Sequence, residues 1–390
     1  MASTHLHQAM SARVARGEFP GLVTVVARGD DVDVDTIGVT HFGGDVPMRR
    51  DTPFRIASMT KPILAAAALT MVEDDLFDLE EPVHRLLPEL ADQRVLRSYD
   101  AELDDTVPAH RPVTVDDLLT FRLGFGLIAE PEWDPPVPVN ERAEELELAL
   151  GPPKPGSAHD VDEWIRRFGS LPLIHQPGER WNYNVGSLVL GVLMARAAGR
   201  PLGDVLRERI FEPLRMTGTG FWLTPARAAQ LPGHYDLDPG TGEPVENPHS
   251  LPGAWEQPPV FPSGAGGLVS TADDFLTFAR MLMDRGVYGG TRVLSERSVE
   301  AMTTNHLTPE QIAGAGMMLN GAGFGFHVAV TLRDDDGGAA GRYGWSGGYG
   351  TDWFNDPSTG LIAICLTQAG AFLSNGALQD FEKAAAHSAM

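Results

Sequence analysis

Phe54-Arg55-Ile56-Ala57-Ser58-Met59-Thr60-Lys61-Pro62 is the stretch on which the reading of this chain turns. Pro62 is tolerated near a first helical turn, where backbone N–H groups have no intrahelical partner. The Ala- and Leu-rich residues 63–72 behind it carry a helical pattern, so a helix starts at about Ala57 or Ser58. Three residues apart, Ser58 and Lys61 then share one face. A serine hydroxyl is a weak nucleophile until a base takes its proton. A lysine can be that base if burial and the positive helix end lower its pKa. Lysine is also scarce: Lys61, Lys154 and Lys383 are the whole supply, and Arg carries the other positive charges. Because Arg cannot give up its proton, a lysine kept among so many arginines asks for a reason.

Outward from this stretch, residues 22–28 (LVTVVAR) and 32–38 (VDVDTIG) read as a β-hairpin around Gly29-Asp30-Asp31. Helical patterns follow at 115–121, 161–168, 185–198 and 202–211. Pro-rich stretches at 133–138, 151–156 and 231–262 separate them and read as surface loops or lids. After Gly264-Ala265-Gly266-Gly267 a helix is expected from Ser270 or Thr271 as N-cap. Strand patterns return at 324–331, 342–345, 351–354 and 361–367, and a helix over 375–386 ends the chain. Strands at both ends with helices between them predict an α+β chain with one sheet built from both termini. The expected division is a sheet domain of residues 1–75 and 262–390 and a mainly helical domain, with lid loops, of residues 76–261.

Two later stretches can complete a site with Ser58. Gln176-Pro177-Gly178-Glu179-Arg180-Trp181-Asn182-Tyr183 precedes a helix, and a tyrosine there can approach the Ser–Lys pair. Its phenol, next to an ammonium, can shift towards phenolate and relay protons. Gly344-Trp345-Ser346-Gly347-Gly348-Tyr349-Gly350 lies on a late strand, where glycines let a substrate approach the backbone. Acyl transfer needs two N–H donors aimed at the developing oxyanion, and those of Ser58 and Gly348 are the candidates.

Ser58-Met59-Thr60-Lys61, Tyr183-Asn184-Val185 and Trp345-Ser346-Gly347-Gly348 resemble, in order and rough spacing, the three motifs of the serine β-lactamase and penicillin-binding protein superfamily. The likeness is nearest to the class C β-lactamases and, most of all, the family VIII carboxylesterases. It implies a β-lactamase-like fold: an antiparallel sheet flanked by helices, a helical region beside it, and a site in the cleft between. It also implies a Ser58 acyl-enzyme with Lys61 and Tyr183 as proton-transfer pair. Two places depart from the class C pattern. Val185 stands where those enzymes have Asn, and Trp345 where they have a basic residue. Both losses disfavour β-lactams, and Trp345 and Val185 are expected to contact substrate. No general-base Glu of the class A type is visible. The reading is a carboxylesterase acting on small neutral esters. An acyltransferase, a weak β-lactamase or D-aminopeptidase, and a catalytically silent binding protein of the same fold are the alternatives.

The composition narrows the rest. The 390 residues are 43% hydrophobic, enough for a large core. A formal charge of −23 repels nucleic acid and anionic membranes. Residues 1–18 lack a signal-peptide apolar run, and no window of about 18 apolar residues exists for a span, so a cytoplasmic location is expected. Cys365 sits in an apolar run that reads as a buried strand, and a lone cysteine forms no intramolecular disulfide. His5 and His7 fall in an N-terminus expected to be mobile, and no HExxH or paired Cys–His spacing exists, so neither metal nor other cofactor is expected. Gly344-Trp345-Ser346-Gly347-Gly348 also fits the G-x-S-x-G nucleophile elbow, but that fold needs a later acid and His, and only His387 follows.

Overall fold

The computed structural model describes residues 2–127, 137–153, 155–334 and 338–388. Residues 133–136 of the first Pro-rich stretch, and Lys154, lie outside them. The chain opens with α1 (Ala2–Ala15), where a mobile segment was expected. Leu6 and Met10, four apart, are buried on one face and join Phe19, Phe372 and Phe381 in one apolar cluster. That spacing of four is what turns the N-terminus into an anchored helix.

β1 (Gly21–Arg28) and β2 (Asp31–Gly38) form the expected hairpin, and Gly29 turns it with φ +56°. A 3₁₀ turn, Ala57–Met59, leads into α2 (Thr60–Glu73), with Pro62 in its first turn. The apolar residues of α2 are buried almost all round, so this helix is a central core element. α3 (Val161–Phe168) and α4 (Val185–Ala198) fall at the expected bounds, and Gly199 closes α4 in the left-handed conformation. α5 (Ala272–Met283) is capped by Thr271, whose side chain accepts from the Asp274 N–H.

The sheet strands of the last quarter are β3 (Gly323–Phe324), β4 (Ala329–Val330), β5 (Tyr343–Gly347), β6 (Thr351–Asp356) and β7 (Leu361–Leu366), and α6 (Ala377–Ser388) ends the described chain. The single strand expected over 324–331 is therefore two short ones. The chain folds back at 325–328, and His327 takes φ +60° there. The seven strands form one antiparallel sheet in the order β3-β4-β5-β6-β7-β1-β2. β7 lies between β6 and β1, so the two chain ends meet at Val23–Leu366 and the next five pairs. Cys365 lies on that strand and is buried, as expected.

Residues 231–262 are more ordered than a surface loop. They hold a small hairpin, Tyr235–Leu237 with Pro244–Glu246, and bury His234, Ser250 and Trp255. One contiguous core joins sheet residues such as Val25 and Trp353 to helical residues such as Leu64, Trp164 and Leu188. Among the described residues no single helix is long and apolar enough to cross a membrane.

Candidate active site

The 3₁₀ turn before α2 is tense. Ala57 holds φ +45°, a conformation that costs a non-glycine residue energy and that surrounding contacts must impose. Those contacts come from β5 and β6. Thr351 Oγ1 donates to Ile56 O at 3.0 Å, and a Cβ at Gly347 would overlap Ile56 O and Thr351 Oγ1. Glycine at 347 is thus required for the strand to close on the turn, which sets Gly348 beside Ser58 on the cleft wall.

Ser58 Oγ lies 2.9 Å from Lys61 Nζ and 2.8 Å from Tyr183 Oη. Lys61 is fully buried and also donates to Ala265 O at 2.6 Å. Its Nζ sits over the Tyr183 ring, 4.6 Å from the centroid. No ion pair to Lys61 is formed among the described residues, so burial alone drives its pKa well below the lysine range. The neutral amine is the form this pocket favours, and a neutral amine can accept a proton from Ser58.

Tyr183 behaves otherwise than the sequence suggested. Burial pushes its phenol up to about 12, and the hydrogen bonds with Ser58 and Trp345 only partly offset this. The expected drift to phenolate is corrected: Lys61, itself favoured neutral, offers little charge to stabilise one. Trp345 lines the cleft, where a substrate contact is expected. Its indole N–H is donated to Tyr183 Oη at 3.2 Å, so it is not free for substrate. An indole nitrogen only donates, so Tyr183 Oη must accept there and turn its own hydrogen to Ser58 Oγ. Ser58's hydrogen is then left for Lys61 Nζ.

Val185 is not on this cleft wall. Its side chain is buried in the core and faces a neighbouring cavity that also touches Leu150 and Gly151. Besides Asn247, the amide on the wall is Asn184, whose Nδ2 donates to Leu150 O. Sequence reasoning missed it, although it directly follows Tyr183. His327 was also missed among scattered histidines. It is fully buried beneath the site, with Nδ1 3.1 Å from Lys61 O and Nε2 near Leu118 O and Ser187 Oγ. Burial pushes it down to about 3, so the ring is neutral. Ser346 is committed elsewhere: its hydroxyl donates to Asp352 at 2.7 Å, and its strand turns into β6 and not into a helix. The nucleophile-elbow arrangement is therefore absent there.

The cleft measures about 490 Å³. Leu127, Pro152, Met318, Trp345, Leu373 and Leu378 give it apolar walls. A larger hollow of about 1540 Å³ lies around residues 195–222 and 258–262 and touches none of Ser58, Lys61 and Tyr183.

A family model described as beta-lactamase matches residues 6–387. The chain belongs to the beta-lactamase family. Protein Rv1367c of Mycobacterium tuberculosis is 37% identical over 90% of this chain and 86% of its own. Esterase EstB of Burkholderia gladioli is 31% identical over 89% of this chain and 85% of its own. Among solved structures, EstCE1, a hydrolase with promiscuous acyltransferase activity, superposes with a TM-score of 0.80 over 98% of both chains at 24% identity. Fold and family together make this a β-lactamase-like serine hydrolase with esterases among its relatives.

Proposed function

We propose that this protein is a carboxylesterase that cleaves small neutral esters through a Ser58 acyl-enzyme. The observation that carries the reading is a serine hydroxyl within 2.9 Å of a fully buried lysine amine, with a tyrosine hydroxyl on its other side. Ser58 Oγ attacks the ester carbon while Lys61 Nζ takes its proton. The N–H groups of Ser58 and Gly348 receive the oxyanion. Collapse breaks the bond to the alcohol, which leaves with the proton returned through Tyr183. Water repeats the sequence in reverse roles and frees the acid.

Neutral esters are favoured over β-lactams because no positively charged side chain borders the cleft among the described residues. A lactam's carboxylate would lose hydration there without gaining a matching charge. An acyltransferase is the second reading. The apolar walls can hold an acceptor alcohol as well as a leaving one, and EstCE1 combines a hydrolase with acyltransferase activity on a similar fold.

The test is a panel of p-nitrophenyl esters, a chromogenic cephalosporin and D-amino-acid amides, run with and without acceptor alcohols. Short esters should be turned over and the cephalosporin weakly or not at all. Ser58→Ala should lower kcat by about 10³-fold or more, and Ser346→Ala far less. A cephalosporin matching the best ester in kcat/KM would overturn the ester reading. Activity kept in Ser58→Ala and lost in Ser346→Ala would overturn the nucleophile.

A further inference from the structure

The cleft has a second polar wall that takes no part in the chemistry proposed above. His234, on the strap over residues 231–262, is 2% exposed. Its Nδ1 lies 2.8 Å from Ser250 Oγ, and its ring centroid is 4.0 Å from that of Tyr349. Its Nε2 is buried with no hydrogen-bond partner among the described residues and faces Asp236 Oδ1 at 3.5 Å. Burial pushes the imidazole down to about 4, despite Asp236 and with help from the Arg55 charge, so the ring is neutral near pH 7.

Asp236 is half exposed and borders the cleft, where Asn247 Nδ2 donates to its Oδ2 at 2.7 Å. A Cβ added to Gly370 would lie 3.3 Å from Gly348 O and 3.5 Å from Asp236 Oδ1. One small side chain's width therefore separates this carboxylate from the glycine beside Ser58. Among the described residues that line the cleft, Asp236 carries the one formal charge, and the Arg55 guanidinium lies buried deeper, donating to Ser250 O. The neutral imidazole, packed against the Tyr349 ring, does not cancel it. The protein's net charge of −23 acts in the same direction on an approaching substrate.

We infer that the cleft takes esters with one arm ending in a protonated or quaternary amine, seated against Asp236, and rejects esters with a carboxylate on that arm. This rests on the esterase reading and specifies its substrate class: neutral esters are accepted, and their cationic isosteres are preferred.

The experiment compares two series. One holds butyrate esters of choline, of its uncharged tert-butyl isostere and of hydroxypropanoate. The other holds p-nitrophenyl esters of acids ending in trimethylammonio, tert-butyl or carboxylate groups. In at least one series kcat/KM should rank cation over isostere over anion, with steps of about tenfold. Asp236→Asn should reduce the ratio of cationic to neutral ester about tenfold. It removes one charge of the protein's large excess, so a loss of that size cannot come from the overall field. A wild type that ranks the isostere at or above the cation in both series overturns the inference, as does an Asp236→Asn enzyme with an unchanged ratio. If no ester in either series is turned over, the esterase reading fails instead. Calorimetric binding of tetramethylammonium, lost in Asp236→Asn, then decides the inference by itself.

Discussion

Lys61 and Arg55 are two basic side chains buried six residues apart on the same stretch, and the protein treats them in opposite ways. Arg55 is 1% exposed, and acceptors from three residues meet its two terminal nitrogens, while its Nε has none among the described residues. Its guanidinium donates to Pro232 O and Gln368 Oε1 and to Ser250 O, and it lies over the Trp255 ring. Burial lowers it only to about 10, so it stays charged. Lys61 is equally buried but has one backbone acceptor, one serine hydroxyl and no carboxylate. A group that must remain a cation needs its charge solvated by the protein; a group that can lose its proton does not. Arg55 pins the 231–262 strap to the turn that carries Ser58, whereas Lys61 is left poised to accept a proton.

Exchanging the two residue types gives the largest effects. Lys61→Arg keeps a charge that cannot leave, and kcat should fall by about 10³-fold or more. Tyr183→Phe should also lose most activity. The double variant should be little worse than either single one, because both act on one proton path. Arg55→Lys should do the reverse. It strips several hydrogen bonds from buried carbonyls, and chemical denaturation should report a loss of about 2–4 kcal/mol. Its kcat, measured below the new unfolding midpoint, should stay within about tenfold of the parent. A folded Arg55→Lys enzyme as dead as Lys61→Arg would erase the distinction.

These two residues also mark what the sequence can tell. Ser58 and Lys61 were legible because their relation is local: a three-residue spacing fixed by one helical turn. Tyr183 and Gly348 were legible through motif order. Arg55 stood in the same stretch without a local signal, because its acceptors come from residues 232, 250 and 368. The same holds for His234 and Asp236, which reach the cleft only once the strap folds over it. The interruption at His327 was hidden because residues 324–331 read as one β-run, and nothing local announces a positive φ. The stripe Leu6–Met10 behind α1 was present in the sequence and needed only a count of four.

The next effect is on stability. Lys61 is held below its ordinary 10.5 in the folded chain by burial. Below that value the unfolded state binds a proton that the folded state refuses. Stability must therefore rise with pH across the window from the depressed folded pKa to about 10.5, as far as this group contributes. Activity should rise through the lower edge of the same window as the amine becomes neutral. Lys61→Met should abolish turnover and raise the neutral-pH thermal midpoint by about 1–3 °C. It should also flatten stability against pH in that window. A lowered midpoint at pH 7 would mean that the Ala265 contact outweighs the burial penalty.

The smallest effect concerns Trp345, which joins the proton path without touching Ser58. Its N–H occupies Tyr183 Oη and so directs the tyrosine hydrogen towards the serine. Without that donor, Tyr183 can turn its hydrogen away, and Ser58 loses the partner that leaves its own proton to Lys61. The lost interaction is one neutral hydrogen bond of 3.2 Å, worth about 1 kcal/mol, which corresponds to about a fivefold change in rate. Trp345→Phe keeps most of the aromatic packing against Tyr183 and Phe324, so KM for a small ester should change little while kcat drops. Trp345→His can supply a ring N–H again and should recover part of kcat, whereas Trp345→Ala should lose packing as well and raise KM. Equal kcat in Trp345→Phe and the parent would mean that the serine and lysine orient the tyrosine unaided. A fall in kcat that His does not relieve would assign the effect to packing and not to the proton.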